Sequence, residues 1–225
     1  MEAYKVMCGI VGIKTSDGAP VGFEEIKRMT DVIAHRGPDG EGFHHDGPLA
    51  LGHRRLAILD LTDAGKQPMS YAGGRYWITY NGEIYNFLEI RHELENKGYL
   101  FTTATDTEVI LAAYDCWGPE CLHRFNGMWA FAIWDRSERR LFLARDRFGV
   151  KPLFYRKTPE RFTFASEIKA ILATLSTRPD PNPSVLFDIL SGGGADQSDD
   201  TLYKGIFHLP AGSWMNVDER GDVQT

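Results

Sequence analysis

Cys8, in the run Met7-Cys8-Gly9-Ile10-Val11-Gly12, is the residue whose type and place could do the most chemistry. If Met7 were the start and were then trimmed, Cys8 would carry a thiol and a free α-amine on one residue. An α-amine titrates at about 7.7–8.0, close enough to neutrality to act as a base. The thiolate is the reactive sulfur species, so a base on the same residue makes a self-activated nucleophile. Taken alone, the run also fits a small buried residue opening a strand, because free cysteine is among the most buried types.

Four further residue groups change that balance. Asn81-Gly82 is first of all a turn dipeptide. Its carboxamide and the following backbone N–H are also two donors that could converge on a developing oxyanion. A glycine there lets backbone approach a substrate closely. Arg55, in Gly52-His53-Arg54-Arg55-Leu56, reads as a solvated strand-end charge or as a planar clamp for a carboxylate. Asp106 suits the first turn of a helix on dipole grounds alone, and Glu83 suits a plain surface acid. Singly, each plain reading is the better one. Together, a nucleophile, an oxyanion pair, a guanidinium and two carboxylates are what attack on the side-chain amide of a zwitterionic amino acid requires.

Composition narrows the field. The chain has 225 residues, enough for one large or two small domains, with 43% hydrophobic and 25% charged residues, as in ordinary soluble proteins. The net charge of −6, with no basic run, argues against nucleic acid or an anionic membrane as partner. No apolar run approaches the ~20 residues of a membrane helix, and the first residues lack a signal-peptide core. Three cysteines suit a reducing, cytoplasmic setting. Cys116 and Cys121 lack the spacing and partners of a zinc site and read as packing residues, so no metal is expected.

The elements that must position these groups follow from periodicity. Cys8–Ile13 reads as a buried strand. Phe23, Ile26, Met29 and Ile33 mark a helix. The block His35–Gly40 is too rich in Gly and Pro for either regular element. Strands are expected at 49–53 and 76–80. Asn86 with Glu89, and Thr105 with Glu108, read as capping boxes opening two helices, the first closed by Gly98. The second has Val109, Ala112, Ala113 and Cys116 along one face. Two hairpins are expected, 129–133 with 141–143 and 153–155 with 162–165. Pro179, Pro181 and Pro183 mark a boundary before a short helix at 185–190. Helices among antiparallel hairpins indicate an α+β layered domain. Ser191-Gly192-Gly193-Gly194-Ala195-Asp196 resembles a nucleotide-binding loop only superficially. No strand precedes it and acids follow, so it reads as a linker.

Eight ordered blocks carry a family likeness: Met7–Gly12, His35–Gly40, His53–Ile58, Tyr80–Asn86, Thr105–Glu108, Gly127–Ala132, Arg145–Leu153 and Ala165–Ala170. The chain resembles the glutaminase half of glutamine-dependent asparagine synthetases, class II amidotransferases with an N-terminal nucleophile. The resemblance implies an αββα sandwich of two antiparallel sheets between helical layers. It implies that Cys8 attacks L-glutamine with its own α-amine as base, and that Asn81 and the Gly82 N–H form the oxyanion hole. Arg55 would hold the substrate carboxylate, while Asp106 and Glu83, with backbone near Ile58, would hold its amine. Residues 1–7 are then an N-terminal extension, 8–178 the glutaminase core, and 179–225 an extension toward a synthetase domain that this sequence does not contain. No cofactor is expected in this chain; ATP and Mg²⁺ belong to that absent domain. A homodimer is compatible with the resemblance.

The resemblance leaves other readings open. Relatives of this kind also serve sugar amidation in surface-polysaccharide synthesis, and a third reading is a glutamine-binding domain whose cysteine the extension blocks. The sequence as written places six residues before Met7 and stops at Thr225, as a domain or truncated product would. Met7-Cys8 fits a start followed by methionine removal, which Met1-Glu2 does not.

Overall fold

The computed structural model describes residues 7–57, 65–192 and 199–224. Twelve strands form two six-stranded antiparallel sheets among these residues. The first sheet takes β1 (Gly9–Thr15), β2 (Gly40–Asp46), β3 (Leu49–Arg55), β8 (Phe154–Lys157), β9 (Arg161–Ala165) and β10 (Phe207–His208), in the order β10-β8-β9-β1-β3-β2. The second takes β4 (Met69–Tyr71), β5 (Tyr76–Ile84), β6 (Gly127–Asp135), β7 (Arg140–Arg145), β11 (Trp214–Val217) and β12 (Val223–Gln224), in the order β12-β11-β7-β6-β5-β4. The helices are α1 (Phe23–Asp31), α2 (Phe87–Asn96), α3 (Asp106–Trp117), α4 (Ile168–Leu172) and α5 (Pro183–Leu190).

Strand alternation builds three apolar layers, because successive side chains leave a strand on opposite faces. Between the sheets, Ile10, Leu49 and Leu51 of the first meet Ala130, Ala132, Trp134, Leu141 and Leu143 of the second. The other faces of the same strands turn outward. Val11, Ile13 and Ala50 pack on Ile26 and Met29 of α1 and Ala170 and Ile171 of α4. Ile78, Phe131, Ile133 and Phe142 pack on Ile90 and Leu94 of α2 and on Val109–Ala113 of α3. Helix, sheet, sheet, helix is the αββα sandwich expected. Residues 179–224 join both sheets, since β10 pairs with β8 and β11 pairs with β7.

Several local expectations change. Asn81-Gly82 is not a turn. The strand expected to end at residue 80 runs on to Ile84, pairing Asn81 with Ala130 and Gly82 with Trp129. Glycine is needed there because a Cβ would press on the Met128 carbonyl and lie 2.7 Å from Trp129 Cα. Strand β2 escaped the periodicity because Gly40-Glu-Gly-Phe-His-His-Asp46 has no apolar alternation; its neighbour β3 holds it in register.

The capping boxes are also altered. Asn86 makes no cap bond, and instead its side chain holds Arg124 O and the Asn126 N–H, at 3.0 and 2.8 Å. Thr105 does cap α3, accepting from the Glu108 N–H, but the Glu108 carboxylate turns to the backbone of Thr102 and Thr103. Helix α3 is buried from Asp106 through Ala113 rather than along one face. Gly98 follows α2 with φ 91°, as a C′ glycine should. Cys121 is buried and Cys116 packs on the α3 layer, the packing roles expected of them. The linker stretch 193–196 lies outside the described residues. No described helix is long and apolar enough to cross a membrane.

Candidate active site

Cys8 sits one residue ahead of β1, at the end of the first sheet that faces β5. Its sulfur accepts the Leu56 N–H at 3.4 Å and lies 3.6 Å from Leu56 O, just past the end of β3. The block His35–Gly40, which no periodicity explained, clamps this residue. Arg36 donates through Nε to Cys8 O at 3.0 Å and through a terminal nitrogen to Glu167 at 3.1 Å. The Met7 N–H bonds Arg36 O at 3.1 Å. Gly37 lies so close to β3 that a Cβ would strike the backbone of Arg54 and Arg55. Asp39 accepts the Ala57 N–H at 2.9 Å, which fixes the chain leaving β3.

Burial pushes the Cys8 thiol up, against the pull of the Leu56 backbone bond and of the charges on Lys151, Arg36 and Arg55. A thiol in that state needs a base before it can attack.

Cys8, Arg55, Gly82, Glu83 and Asp106 line one pocket, where the two sheets and the start of α3 meet. Asn81 is not in its wall. It lies beside it on β5, 1% exposed, with a side-chain Nδ2 that has no hydrogen-bond partner among the described residues. On the same face of β5, two residues earlier, the Thr79 hydroxyl reaches Gly52 O of the first sheet at 3.1 Å. Strand period therefore turns Asn81 toward the sheet that carries Cys8. Buried donors are nearly always satisfied, so an unpaired carboxamide N–H beside a pocket calls for a ligand or water.

Asp106 opens α3. Its Oδ2 accepts the Tyr80 hydroxyl at 2.9 Å and the Ile84 N–H at 3.0 Å. Burial pushes its carboxyl up against those bonds. A cationic ligand at the pocket would offset that cost by favouring the ionised form. Ile58 lies outside the described residues.

The sequence reading missed His53, which also lines the pocket. Its Nε2 donates to Tyr80 O at 3.1 Å, while burial pulls its pKa down to about 4, so it is a neutral link between sheets. Gln67 was missed too; its Oε1 accepts the Tyr80 N–H at 2.6 Å. The only signal for His53 was its place two residues before Arg55 in one strand. Gln67 carried none. Among the described residues, no group of His, Cys, Asp and Glu could hold a metal ion.

Two antiparallel sheets between helices, with a cysteine at the head of the first strand, are the fold of the N-terminal-nucleophile amidotransferases. The chain superposes on the solved glutamine phosphoribosylpyrophosphate amidotransferase of B. subtilis with a TM-score of 0.69 at 20% identity, covering 96% of this chain and 49% of that one. The match shows the fold. The chain itself belongs to the glutamine amidotransferase domain family, whose model matches residues 7–225.

Among its relatives is asparagine synthetase [glutamine-hydrolyzing] 1 of Bacillus subtilis, 46% identical over 173 residues, covering 74% of this chain and 27% of the relative. A second Bacillus subtilis enzyme, asparagine synthetase [glutamine-hydrolyzing] 3, is 40% identical across 89% of this chain and 33% of its own length. A putative asparagine synthetase of Methanocaldococcus jannaschii is 40% identical across 91% of this chain and 43% of its own length. The chain therefore spans less than half the length of each of these relatives.

Proposed function

We propose that this domain hydrolyses L-glutamine to glutamate and ammonia, and that the ammonia serves ATP-dependent asparagine synthesis by a synthetase domain elsewhere in the parent protein. The observation that carries the reading is one pocket joining a half-buried thiol, a guanidinium and two carboxylates, with an Asn81 Nδ2 on the adjoining strand that has no partner among the described residues. Charge is sorted across it. Arg55 lies on the first sheet's side, while Glu83 and Asp106 lie on the second's, which matches a substrate with a carboxylate and an ammonium on one carbon.

In this reading Cys8 is the first residue of the working enzyme. Its α-amine takes the thiol proton, and the thiolate adds to the glutamine amide carbon. The oxyanion that forms is stabilised by Asn81 Nδ2 and the Gly82 N–H. The C–N bond then breaks and the amide nitrogen leaves as ammonia, carrying the proton. Water attacks the thioester and releases glutamate and the free thiol. ATP and Mg²⁺ act only in the synthetase part, and a cytoplasmic location and a homodimer fit the same reading. The relatives named asparagine synthetases support asparagine as the product in preference to an aminated sugar.

The test is release of glutamate and ammonia in equal amounts from the chain beginning at Cys8. Cys8→Ala is expected to abolish both while the thermal midpoint stays close to wild type. Residual hydrolysis in that variant above one part in 10³ would remove the covalent route.

A further inference from the structure

Lys151 is a buried cation that the hydrolysis scheme does not use. It is 6% exposed. Among the described residues its Nζ has one polar contact, the Met7 sulfur at 3.1 Å. A thioether is a weak acceptor, and an ammonium carries three donors. No described carboxylate forms an ion pair with it. Met7 touches it, and the charged or titratable groups whose fields reach it are Glu83, Arg36, Cys8 and Asp146. Buried lysines are rare without a carboxylate partner, and this one stands beside the residue that precedes the nucleophile.

The loop from β7 to β8 is built to hold it there. Asp146, fully buried, accepts the N–H groups of Phe148 and Val150 on one oxygen and of Trp129 and Lys151 on the other, at 2.9–3.3 Å. The Arg145 guanidinium donates to the carbonyls of Lys151, Gly149 and Leu209 at 2.7–2.8 Å. Two charged side chains thus fix the backbone of the loop between β7 and β8 from within. Trp129, tied to Asp146, is the partner of Gly82 in the sheet, so the loop is registered directly to the oxyanion strand.

We propose that Lys151 is a positioning residue that acts through Cys8: its fixed ammonium faces the place of the Cys8 amino group and keeps that amine in its neutral, basic form. The inference rests on the reading that Cys8 works as an N-terminal nucleophile. The Met7 N–H bonds Arg36 O and the Met7 side chain covers Nζ, so removing Met7 uncovers the ammonium where the new amine begins. A like charge nearby disfavours protonation of an amine. An unperturbed α-amine would be largely protonated at neutral pH, and hence unable to take the thiol proton. The same charge lowers the cost of forming the Cys8 thiolate, opposing the effect of burial. Arg36 is a second cation near this place, but its charge is matched by Glu167. Lys151 is not matched. Its own pKa is lowered chiefly by burial and raised by Glu83.

The test uses the chain expressed from Met7, with Cys8 confirmed as first residue by intact mass, as wild type, Lys151→Met and Lys151→Arg. Two pH profiles are read: kcat/KM for glutamine, and the rate of Cys8 alkylation by iodoacetamide, which needs no turnover. In Lys151→Met the acidic limb of both profiles should move up by about one pH unit, with the activity loss larger at pH 6.5 than at pH 9. Lys151→Arg should keep the limbs near wild type. Unmoved limbs in Lys151→Met, an equal shift in Lys151→Arg, or a loss independent of pH would overturn the proposal. If the wild type alkylates but never hydrolyses glutamine, the hydrolysis reading fails while the alkylation profiles still decide the role of Lys151.

Discussion

The two sheets meet at the pocket with opposite chemistry. The first brings the thiol and cations: Cys8 ahead of β1, Arg55 at the end of β3, and Arg36 clamped behind them. The second brings a carboxamide and acids: Asn81 and Glu83 on β5, and Asp106 from the helix beneath it. Beside the pocket neutral bonds join the two sheets, while farther along Trp134 of β6 donates to the Asp46 carboxylate of β2 at 2.8 Å. Thr79 reaches Gly52 O, and neutral His53 reaches Tyr80 O. The difference teaches how one sandwich can separate stability from recognition. Neutral bonds join the sheets beside the pocket, and charged groups with one unpaired donor lie at the pocket itself.

Removing the unpaired donor should sharpen that division most. Asn81→Ala is expected to lower kcat for glutamine by ~10²–10³, the effect of losing one oxyanion-hole donor. Because Nδ2 has no partner in the free protein, unfolding stability should fall by only about 1 kcal/mol. A loss of stability as large as the loss of activity would place Asn81 in the seam instead.

The seam has its own signature in acid. His53 titrates at about 4 in the folded protein against an ordinary 6.5, because burial disfavours the charged ring. Below pH 6.5 the unfolded chain binds a proton that the folded chain refuses. The contribution is therefore intact above 6.5 and lost progressively as pH falls through 4, by up to ~3 kcal/mol. His53→Gln keeps a donor for Tyr80 O and removes the titration. Urea midpoints at pH 7 and pH 4.5 should lie closer together in the variant than in wild type. An unchanged gap would show that His53 does not join the sheets as a neutral group.

The charged side should fail by binding rather than by folding. Arg55→Ala is expected to weaken glutamine binding by ~1.5–3 kcal/mol, the range for a hydrogen bond to a charged group. Lys in its place should rescue poorly, lacking the planar fork. Isothermal titration measures this, and unchanged affinity would remove Arg55 from the pocket.

Much of this was legible in the sequence, and the failures are local. An α+β layered domain followed from strand alternation at 129–133 and 141–143 and from helical spacing at 23–33, while the αββα order of the layers came from the family resemblance. The candidate site residues stood out only in combination, and their roles came from the family resemblance. Asn81-Gly82 reads as a turn only in isolation, because turn propensity is a short-range rule and pairing with β6 overrides it. Asn86 misled because its amide found partners 38 and 40 residues away, beyond the reach of any local pattern. Lys151 gave no signal of its own, and His53 only its place two residues before Arg55. A buried lysine and a surface lysine are the same letter, and only the packing of distant strands tells them apart.

The central claim is that Cys8 attacks with the help of its own α-amine. The most direct measurement compares glutamine turnover of the chain expressed from Met7 with that of the full 225-residue chain, both N-termini confirmed by intact mass. Joined to Met7, the nitrogen of Cys8 is an amide without basicity, so the full chain should be slower by at least the ~10²–10⁴ typical of general-base catalysis. Equal turnover, with Met1 still attached, would contradict the mechanism at its first step.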